Sequence, residues 1–218
     1  IPEDYVLSIE AGTSFFLSEN STFVCRGSMR ATGTKENPII FTSSDKSWPG
    51  LLIINSDIES NFSHAYFSKI GGVGKGPSSN SIIQNGWTMT GGVTVYNSAV
   101  NFSYCNFNES MTEDALNIIS SSFSLDSCTF KNIFSDAFDG DFVQGEVKNC
   151  IFIKVKGDGV DFSGSQVSVT GCSFSDINDK AISVGEDSYV KVQSTKIDRV
   201  SFGVVAKDMS QVIVNNCK

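Results

Sequence analysis

The hydrophobic positions of this sequence recur at a fixed spacing. A column of cysteines steps by 22 or 23 residues, and columns of phenylalanine and of smaller apolar residues keep the same register. The members are Cys105, Cys128, Cys150, Cys172, Thr195 and Cys217; Phe107, Phe130, Phe152, Phe174 and Ile197; and Phe102, Leu125, Val147, Val169, Val192 and Val214. A fixed period in the twenties predicts a solenoid in which each repeat forms one coil.

Short runs of alternating apolar and polar residues lie within each period, for example Val167–Val169 and Val190–Val192. Their apolar members are β-branched or aromatic rather than leucine, which favours half-buried strands over a leucine-rich repeat. Gly, Asn, Ser and Asp between the runs supply turn conformations, and no window of 12 or more residues has helical spacing. The pattern predicts an all-β fold, a right-handed parallel β-helix of roughly nine or ten coils.

The repeat predicts one elongated domain over residues 1–218. Within it we expect less regular N-terminal coils over 1–45 and regular coils over 100–218, the last of them incomplete. Residues 71–86 break the register and are rich in Gly, Ser and Asn, so they predict an inserted surface loop. The first residues resemble a mature or trimmed start, and the unfinished last coil suggests an excerpt of a longer polypeptide.

The middle and C-terminal coils resemble the parallel β-helix repeats of the pectate-lyase-like superfamily. The stretch Gly33–Ser43, followed by Trp48–Leu51, is similar to the opening coils of many secreted bacterial β-helix proteins. The resemblance implies the fold and an extracellular or cell-surface location. It implies no single activity, because this superfamily contains lyases, hydrolases, epimerases and adhesins.

Composition narrows the range of partners. The formal net charge of −8 argues against nucleic acid or an anionic membrane surface, since both are bound by basic patches. The apolar runs are too short to span a bilayer, so we expect no membrane insertion. Five of the six cysteines share one column with parallel side chains, a geometry that strains a disulfide. We therefore predict buried, reduced thiols, and no CxxC or Cys/His cluster suggests zinc.

Acidic residues are concentrated on the outward positions of a few successive coils. Alternation points Leu116, Phe138 and Val160 inward and the residues that follow them outward. The outward column reads Leu52, Thr94, Asn117, Asp139, Asp161, Ser183 and Val205, and the column at the preceding corner reads Asp114, Asp136, Asp158 and Lys180. We expect an acidic patch flanked by Asp114, Asp179 and Lys180 and formed by Asp136, Asp139, Asp141, Asp158 and Asp161.

Like charges on neighbouring strands repel each other, and the sequence leaves three interpretations of the patch open. The five aspartates could hold calcium, which takes 6–8 oxygen ligands. Alternatively, the carboxylates are simply solvated or bond backbone amides at turns, and the turn role suits Asp136 and Asp158 better than Asp139, Asp141 and Asp161. The third interpretation is catalysis.

The catalytic candidates are Asp139, Asp161, Lys180 and Arg199. The stretch Gly157–Asp161 is similar to a motif of polygalacturonase-like hydrolases, although their Gly-His-Gly motif is absent. Two aspartates could form an acid/base pair, as in glycosidases. In lyase-like relatives a Lys or Arg beside calcium removes the proton, but carboxylates around Lys180 should raise its pKa. His64, the only histidine, falls on a turn position.

Two functions remain at this point. The leading one is an extracellular or cell-surface module that binds a polysaccharide or cell-surface glycan, or is structural, with an acidic patch that holds a cation. The alternative is a calcium-assisted polysaccharide lyase, epimerase or glycoside hydrolase. A surface rich in outward carboxylates is compatible with both, so the sequence does not decide whether the protein is an enzyme.

Overall fold

The structure is a computed structural model that describes residues 1–71, 82–84 and 87–218, with only the backbone described for 82–84 and 87–89. The described part is all β. Its strands are β1 Val6–Ile9, β2 Ser14–Leu17, β3 Thr22–Cys25, β4 Ser28–Thr32, β5 Ile39–Ser43, β6 Gly50–Ile54, β7 Ser60–Ser63, β8 Ala65–Ser68, β9 Ile82–Gln84, β10 Trp87–Met89, β11 Gly91–Tyr96, β12 Val100–Ser103, β13 Asn106–Asn108, β14 Asp114–Ile119, β15 Ser122–Asp126, β16 Thr129–Ile133, β17 Asp136–Asp141, β18 Gln144–Lys148, β19 Ile151–Val155, β20 Val160–Ser163, β21 Gln166–Thr170, β22 Ser173–Gly185, β23 Tyr189–Gln193, β24 Lys196–Ala206 and β25 Gln211–Asn215.

The strands stack in parallel on three faces of a β-solenoid. The first face is β1, β4, β7, β12, β15, β18, β21, β23 and β25 in spatial order. The second face contains β2, β5, β8, β13, β16 and β19, and the third contains β3, β6, β11, β14, β17 and β20. Strands β22 and β24 run through the second face and bend into the third, with a register shift between Ile177 and Lys180. Each coil therefore supplies one strand to every face.

The coil count is lower than the sequence predicted. The structure has about 8 turns of about 23 residues, so the expected nine or ten is slightly high. The first coils are longer than the later ones, because Phe15 lies beside Phe41 and Phe41 beside Phe67, steps of 26 residues. Phe67 then lies beside Phe107, 40 residues on, because the inserted segment falls between them.

The predicted inserted loop over residues 71–86 lies largely outside the described residues. Within residues 71–86 the structure describes the short strand β9. It pairs with β10, which follows the segment, and this pairing is antiparallel, unlike the parallel pairing of the coils. No helix long and apolar enough to cross a membrane occurs among the described residues.

The interior is built from the predicted ladders. Phe107, Phe130, Phe152 and Phe174 are buried and stack face to face, with ring centroids 4.6–4.9 Å apart and planes within 7°. All six cysteines are free thiols, and five of them are buried. Along the predicted column each Sγ faces backbone carbonyl oxygens, as Cys150 does at 3.2 Å from the oxygen of Lys148. The expected reduced thiol ladder is therefore present in the structure.

Candidate functional site

The register of the third face brings the predicted acids together. Asp114 pairs with Asp136 in the ladder between β14 and β17. One coil later Asp139 pairs with Asp161, and Asp161 pairs in turn with Ser183. Their inward neighbours Leu116, Phe138, Val160 and Ile182 are fully buried in the core. The alternation therefore predicted the direction of each side chain correctly.

Two of the aspartates hold the backbone at the corner that precedes the third face. Oδ1 of Asp136 accepts a hydrogen bond from the backbone nitrogen of Asp158 at 2.7 Å. Oδ1 of Asp158 accepts one from the backbone nitrogen of Lys180 at 2.8 Å, again one coil later. Gly157 makes room for this contact, since a Cβ there would lie 1.9 Å from Oδ1 of Asp136. Asp136 and Asp158 thus connect successive coils, as the turn interpretation proposed.

Lys180 is occupied by neighbouring carboxylates. Its Nζ lies 3.1 Å from both oxygens of the buried Asp158 and 2.7 Å from Oδ2 of Asp179. Partial burial lowers the pKa of the Lys180 ammonium, but its hydrogen bonds with Asp179 and Asp158 outweigh that effect and leave the pKa raised. A lysine held in its charged form is a poor general base.

Two of the remaining three aspartates of the patch, Asp139 and Asp141, contact Asn117. The Asn117 amide donates from Nδ2 to Oδ2 of Asp139 at 3.1 Å and to Oδ2 of Asp141 at 3.4 Å. Its Oδ1 accepts a hydrogen bond from the hydroxyl of Thr90 at 3.3 Å, which fixes which amide atom faces the acids. The Oδ2 atoms of Asp139 and Asp141 therefore lie close together, both within hydrogen-bonding distance of one amide nitrogen.

Burial and crowding favour the protonated forms of these acids. Burial, followed by the charges of Asp141, Asp161 and Asp136, raises the pKa of Asp139 to about 8. Burial also raises the pKa of Asp136 to about 6 and that of Asp141 above its usual range. The pKa of Asp114 is raised well above its usual value, because the side chain is buried beside Asp139 and Asp136. At neutral pH the patch therefore contains both neutral acids and carboxylates.

Two buried polar atoms of this face lack a partner among the described residues. They are Oδ1 of Asp161 and Oγ of Ser183, which make no hydrogen bond to that part of the chain. They belong to residues that are adjacent in the ladder, and Ser183 as a whole is 0% exposed. Leaving a buried polar group unpaired costs roughly 1–3 kcal/mol. A buried polar group of this kind needs a partner, such as an ordered water or an ion, to offset that cost.

We call Asn117, Asp139, Asp141, Asp161 and Ser183 the acidic strip. Among the described residues no three Asp, Glu, His or Cys side chains converge on one point as metal ligands. Asp136 and Asp158, predicted as calcium ligands, already bond the backbone, so the strip keeps three of the five predicted ligands. The predicted calcium site remains a proposal.

The other catalytic candidate lies elsewhere. Arg199 is on the part of β24 that belongs to the second face, where Nε donates to Oδ1 of Asp176 at 2.6 Å and the guanidinium also pairs with Asp198. His64 has a left-handed backbone, with a φ of 49°, and stacks on Tyr104 with ring centroids 4.9 Å apart. The predicted turn position of His64 is thus confirmed.

Sequence reasoning missed an aromatic residue beside the strip. Phe142 follows Asp141 directly and is 62% exposed. The signal was present in the repeat, because the positions 22 residues before and after Phe142 are Ser120 and Gly164. The next residue of this column is Glu186, so Phe142 is the aromatic member of a column of otherwise small or polar turn residues.

Comparisons with known proteins agree on the fold. A family model described as the right handed beta helix region matches residues 114–218. Together with the parallel coils, this match confirms the predicted resemblance to right-handed parallel β-helix repeat proteins. No curated protein sequence matches this chain significantly.

Several solved structures are similar to this chain at low identity. A rhamnogalacturonan lyase is 10% identical, with a TM-score of 0.44, over 87% of this chain and 61% of its own. The Agl-KA catalytic domain is 12% identical, with a TM-score of 0.42, over 97% of this chain and 52% of its own. A glycoside hydrolase is 10% identical, with a TM-score of 0.35, over 88% and 50%. This chain thus spans about half to three fifths of their length, and no activity follows from these likenesses.

Proposed function

We propose that this right-handed parallel β-helix protein is an extracellular or cell-surface module that binds a polysaccharide along the acidic strip. In this proposal the third face contacts the sugar chain. The rest of the solenoid is the scaffold that keeps the strip residues in register.

The observation that carries the proposal is the pair of unpartnered atoms on Asp161 and Ser183. A sugar hydroxyl both donates and accepts hydrogen bonds. Both atoms are covered in the structure, so binding requires side-chain movement that uncovers them. One hydroxyl would then donate to Oδ1 of Asp161 and accept from the Ser183 hydroxyl, because the two residues are adjacent in the ladder. Both buried groups, which have no partner among the residues that the structure describes, would then be satisfied.

The remaining strip residues extend the same chemistry. Asp139, with its pKa of about 8, is protonated at neutral pH and can donate a hydrogen bond. Asp141, whose Oδ2 accepts from Asn117, offers further acceptor positions. Successive coils place Asn117, Asp139, Asp161 and Ser183 roughly 4.8 Å apart along the solenoid axis. A row of mixed donors and acceptors at regular spacing suits an extended polyhydroxylated chain.

The second candidate function is glycosidic hydrolysis by an acid/base pair on the strip. The observation that favours it is that Asp139 and Asp141 share the Asn117 amide as hydrogen-bond donor, with the pKa of Asp139 raised to about 8 and that of Asp141 raised above its usual range, both chiefly by burial. Glycosidases use one carboxylic acid and one carboxylate across the scissile bond. The lyase alternative has less support, because Lys180 and Arg199 are both paired with carboxylates.

A calcium ion is a further proposal for the same residues. Asp139, Asp141 and Asp161 would hold it, and the unpaired Oδ1 of Asp161 suits an oxygen-seeking cation. Bound calcium would neutralise the repulsion among the three acids and could coordinate sugar hydroxyls. Since three acids do not converge on one point in the described part of the chain, binding would require side-chain rotation.

Affinity electrophoresis tests the proposed function. Gels containing hydroxyethylcellulose, dextran, galactomannan, polygalacturonate or alginate should retard the wild-type protein in at least one case, with and without millimolar calcium. Asp161→Asn and Ser183→Ala should weaken that retardation at least tenfold. The control is Asp57→Asn, which removes one charge from an exposed turn after β6. No retardation by any polymer, or equal retardation of all variants, would refute the proposal.

The same polymers test hydrolysis. If the strip is catalytic, incubation should release reducing ends, and Asp139→Asn should abolish the release while binding persists. Binding without release by the wild-type protein would leave a binding module and exclude the second candidate for these polymers.

A further inference from the structure

Phe142 lies at the end of the strand that carries Asp139 and Asp141, in the turn between the third face and the first. Equivalent turns occur in neighbouring coils. The backbone nitrogen of Ser120 bonds to the oxygen of Asp141 at 2.8 Å, and that of Phe142 bonds to the oxygen of Ser163 at 2.7 Å. All three turn residues Ser120, Phe142 and Gly164 have left-handed backbones, with φ values of 50°, 53° and 59°.

A left-handed backbone is unfavourable for a bulky side chain. Gly, Asn and, less readily, Ser tolerate it, and Asn97 holds the same place one coil before Ser120, with a φ of 48°. Phe142 gains little from burial in return, since it is 62% exposed. Left-handed backbones recur at other turns of this scaffold, at Tyr104 and Arg199 for example, so it is the position of the exposed ring beside a cleft that distinguishes Phe142.

The Phe142 ring packs against one neighbouring residue. It lies against Gly164, where an added Cβ would approach ring atoms Cδ1 and Cε1 to 2.5 and 2.6 Å. Any larger residue at 164 would therefore displace the ring. With one side of the ring on the glycine and most of the side chain exposed, Phe142 presents a flat apolar surface to solvent.

A cleft of about 460 Å³ runs beside this ring, and its walls are mainly uncharged and polar. Its lining includes Ser122, Gln144, Gln166, Asp187 and Tyr189. Gln144, Gln166 and Tyr189 are neighbours in one outward ladder of the first face, so their polar ends form a row. Lys191 Nζ lies over the Tyr189 ring, 5.5 Å from its centroid. Because the lysine occupies that face of Tyr189, Phe142 is the more accessible aromatic surface.

We propose that this Phe142 cleft is a subsite for an uncharged pyranose sugar, which stacks its C–H face on Phe142 and hydrogen-bonds to the amides of Gln144 and Gln166. Aromatic surfaces with a few placed amides and hydroxyls are the usual composition of a specific small-ligand site. The subsite rests on the proposed function, because it would hold a unit of the same polysaccharide that crosses the acidic strip.

Charge selects the class of sugar. The carboxylate of Asp187 lines the cleft, and Asp141 precedes Phe142 in the chain. The cationic Lys191 adjoins the cleft at Tyr189, and the overall charge of the protein is −8. The carboxylates would repel the carboxylates of a uronate polymer. A neutral hexose is not repelled, and its hydroxyl groups can donate hydrogen bonds to the carboxylate oxygens.

The test uses Phe142→Asn, because Asn tolerates the left-handed backbone. Binding to hydroxyethylcellulose, dextran and galactomannan is measured by affinity electrophoresis, with polygalacturonate and alginate for comparison. We expect the wild-type protein to prefer an uncharged polymer, Phe142→Asn to bind it at least tenfold more weakly, and Phe142→Trp to retain binding. The melting temperature of Phe142→Asn should equal or exceed that of the wild type, since the strain is relieved.

The matched control is Tyr104→Ala. Tyr104 is 54% exposed and has a φ of 53°, but it lies in another turn, stacked on His64. The Tyr104→Ala variant should bind the polymers as the wild-type protein does. Wild-type affinity in Phe142→Asn, or preference for the charged polymers, would overturn the subsite and leave the proposed function standing. Absence of binding to every polymer would overturn both, and equal losses in Phe142→Asn and Tyr104→Ala would overturn the subsite alone.

Discussion

Oδ1 of Asp136 lies 2.7 Å from the backbone nitrogen of Asp158, one coil further along the chain. Asp158 repeats the contact with Lys180. The corner aspartates are thus structural, whereas Asp139 and Asp161 on the following strands bond no such amide. The same residue type has two roles on one face, and its position relative to the corner decides which.

The raised pKa values predict a stability that falls with pH. The pKa values of about 8 for Asp139 and about 6 for Asp136 exceed the roughly 3.9 of an unfolded aspartate. Between these values the folded protein binds more protons than the unfolded chain, so the stabilisation is complete below about pH 4 and lost as pH rises towards 8. We expect the melting temperature to fall from pH 5 to pH 8, and to fall less in Asp139→Asn. An identical pH dependence in both proteins would show that Asp139 ionises normally.

The phenylalanine stack predicts a large loss on truncation. Phe152 is 0% exposed and lies between Phe130 and Phe174, with centroids 4.9 and 4.6 Å away. Phe152→Ala should lower the free energy of unfolding by about 3–5 kcal/mol, measured by urea denaturation. Phe152→Leu, which leaves a smaller cavity, should cost less. A Phe152→Ala protein as stable as the wild type would mean that the ring is not in the core.

The thiol ladder predicts graded reactivity. Burial raises the pKa of the Cys128 thiol well above its usual value, whereas Cys217 is partly exposed at the end of the column. Alkylation of the native protein, followed by mass spectrometry, should modify Cys217 first. Unfolding without reductant should make all six thiols reactive. A mass that reports the loss of two thiols before alkylation would contradict the free ladder.

The proposed calcium site predicts a thermal shift. A cation that binds only the folded state stabilises it by about 2.7 kcal/mol at 100 times Kd. For a chain of this size that raises the melting temperature on the order of 5–10 °C. The double variant Asp139→Asn with Asp161→Asn should lose the shift and, above about pH 8 where Asp139 is ionised, be at least as stable without calcium, because like-charge repulsion is relieved. Calorimetry with calcium and with chelator measures both, and an unshifted wild type would reject the cation.

Much of this architecture follows from residue spacing alone. The 22-residue step between Asp139 and Asp161 defines their register, and alternation around Phe138 defines their direction. Residue spacing does not predict how deeply each side chain is buried. Ser183 points outward yet is 0% exposed, which depends on the curvature of the face and on neighbouring side chains.

Other features of the site depend on contacts that no periodic pattern encodes. The reach of Lys180 back to Asp158 depends on its rotamer, and the hydrogen bonds of Asn117 to two acids depend on its amide orientation. The inserted segment over residues 71–86 breaks the repeat, so the repeat predicts nothing about its form. The exposed ring of Phe142 could have been suspected from its column but not placed on Gly164.

The most direct test of the account is a crystal structure of the protein with an oligosaccharide of the polymer that retards it most strongly. The account predicts a sugar on the third face with one hydroxyl within hydrogen-bonding distance of both Oδ1 of Asp161 and Oγ of Ser183. A sugar bound on another surface, with those two atoms still unpartnered, would contradict it.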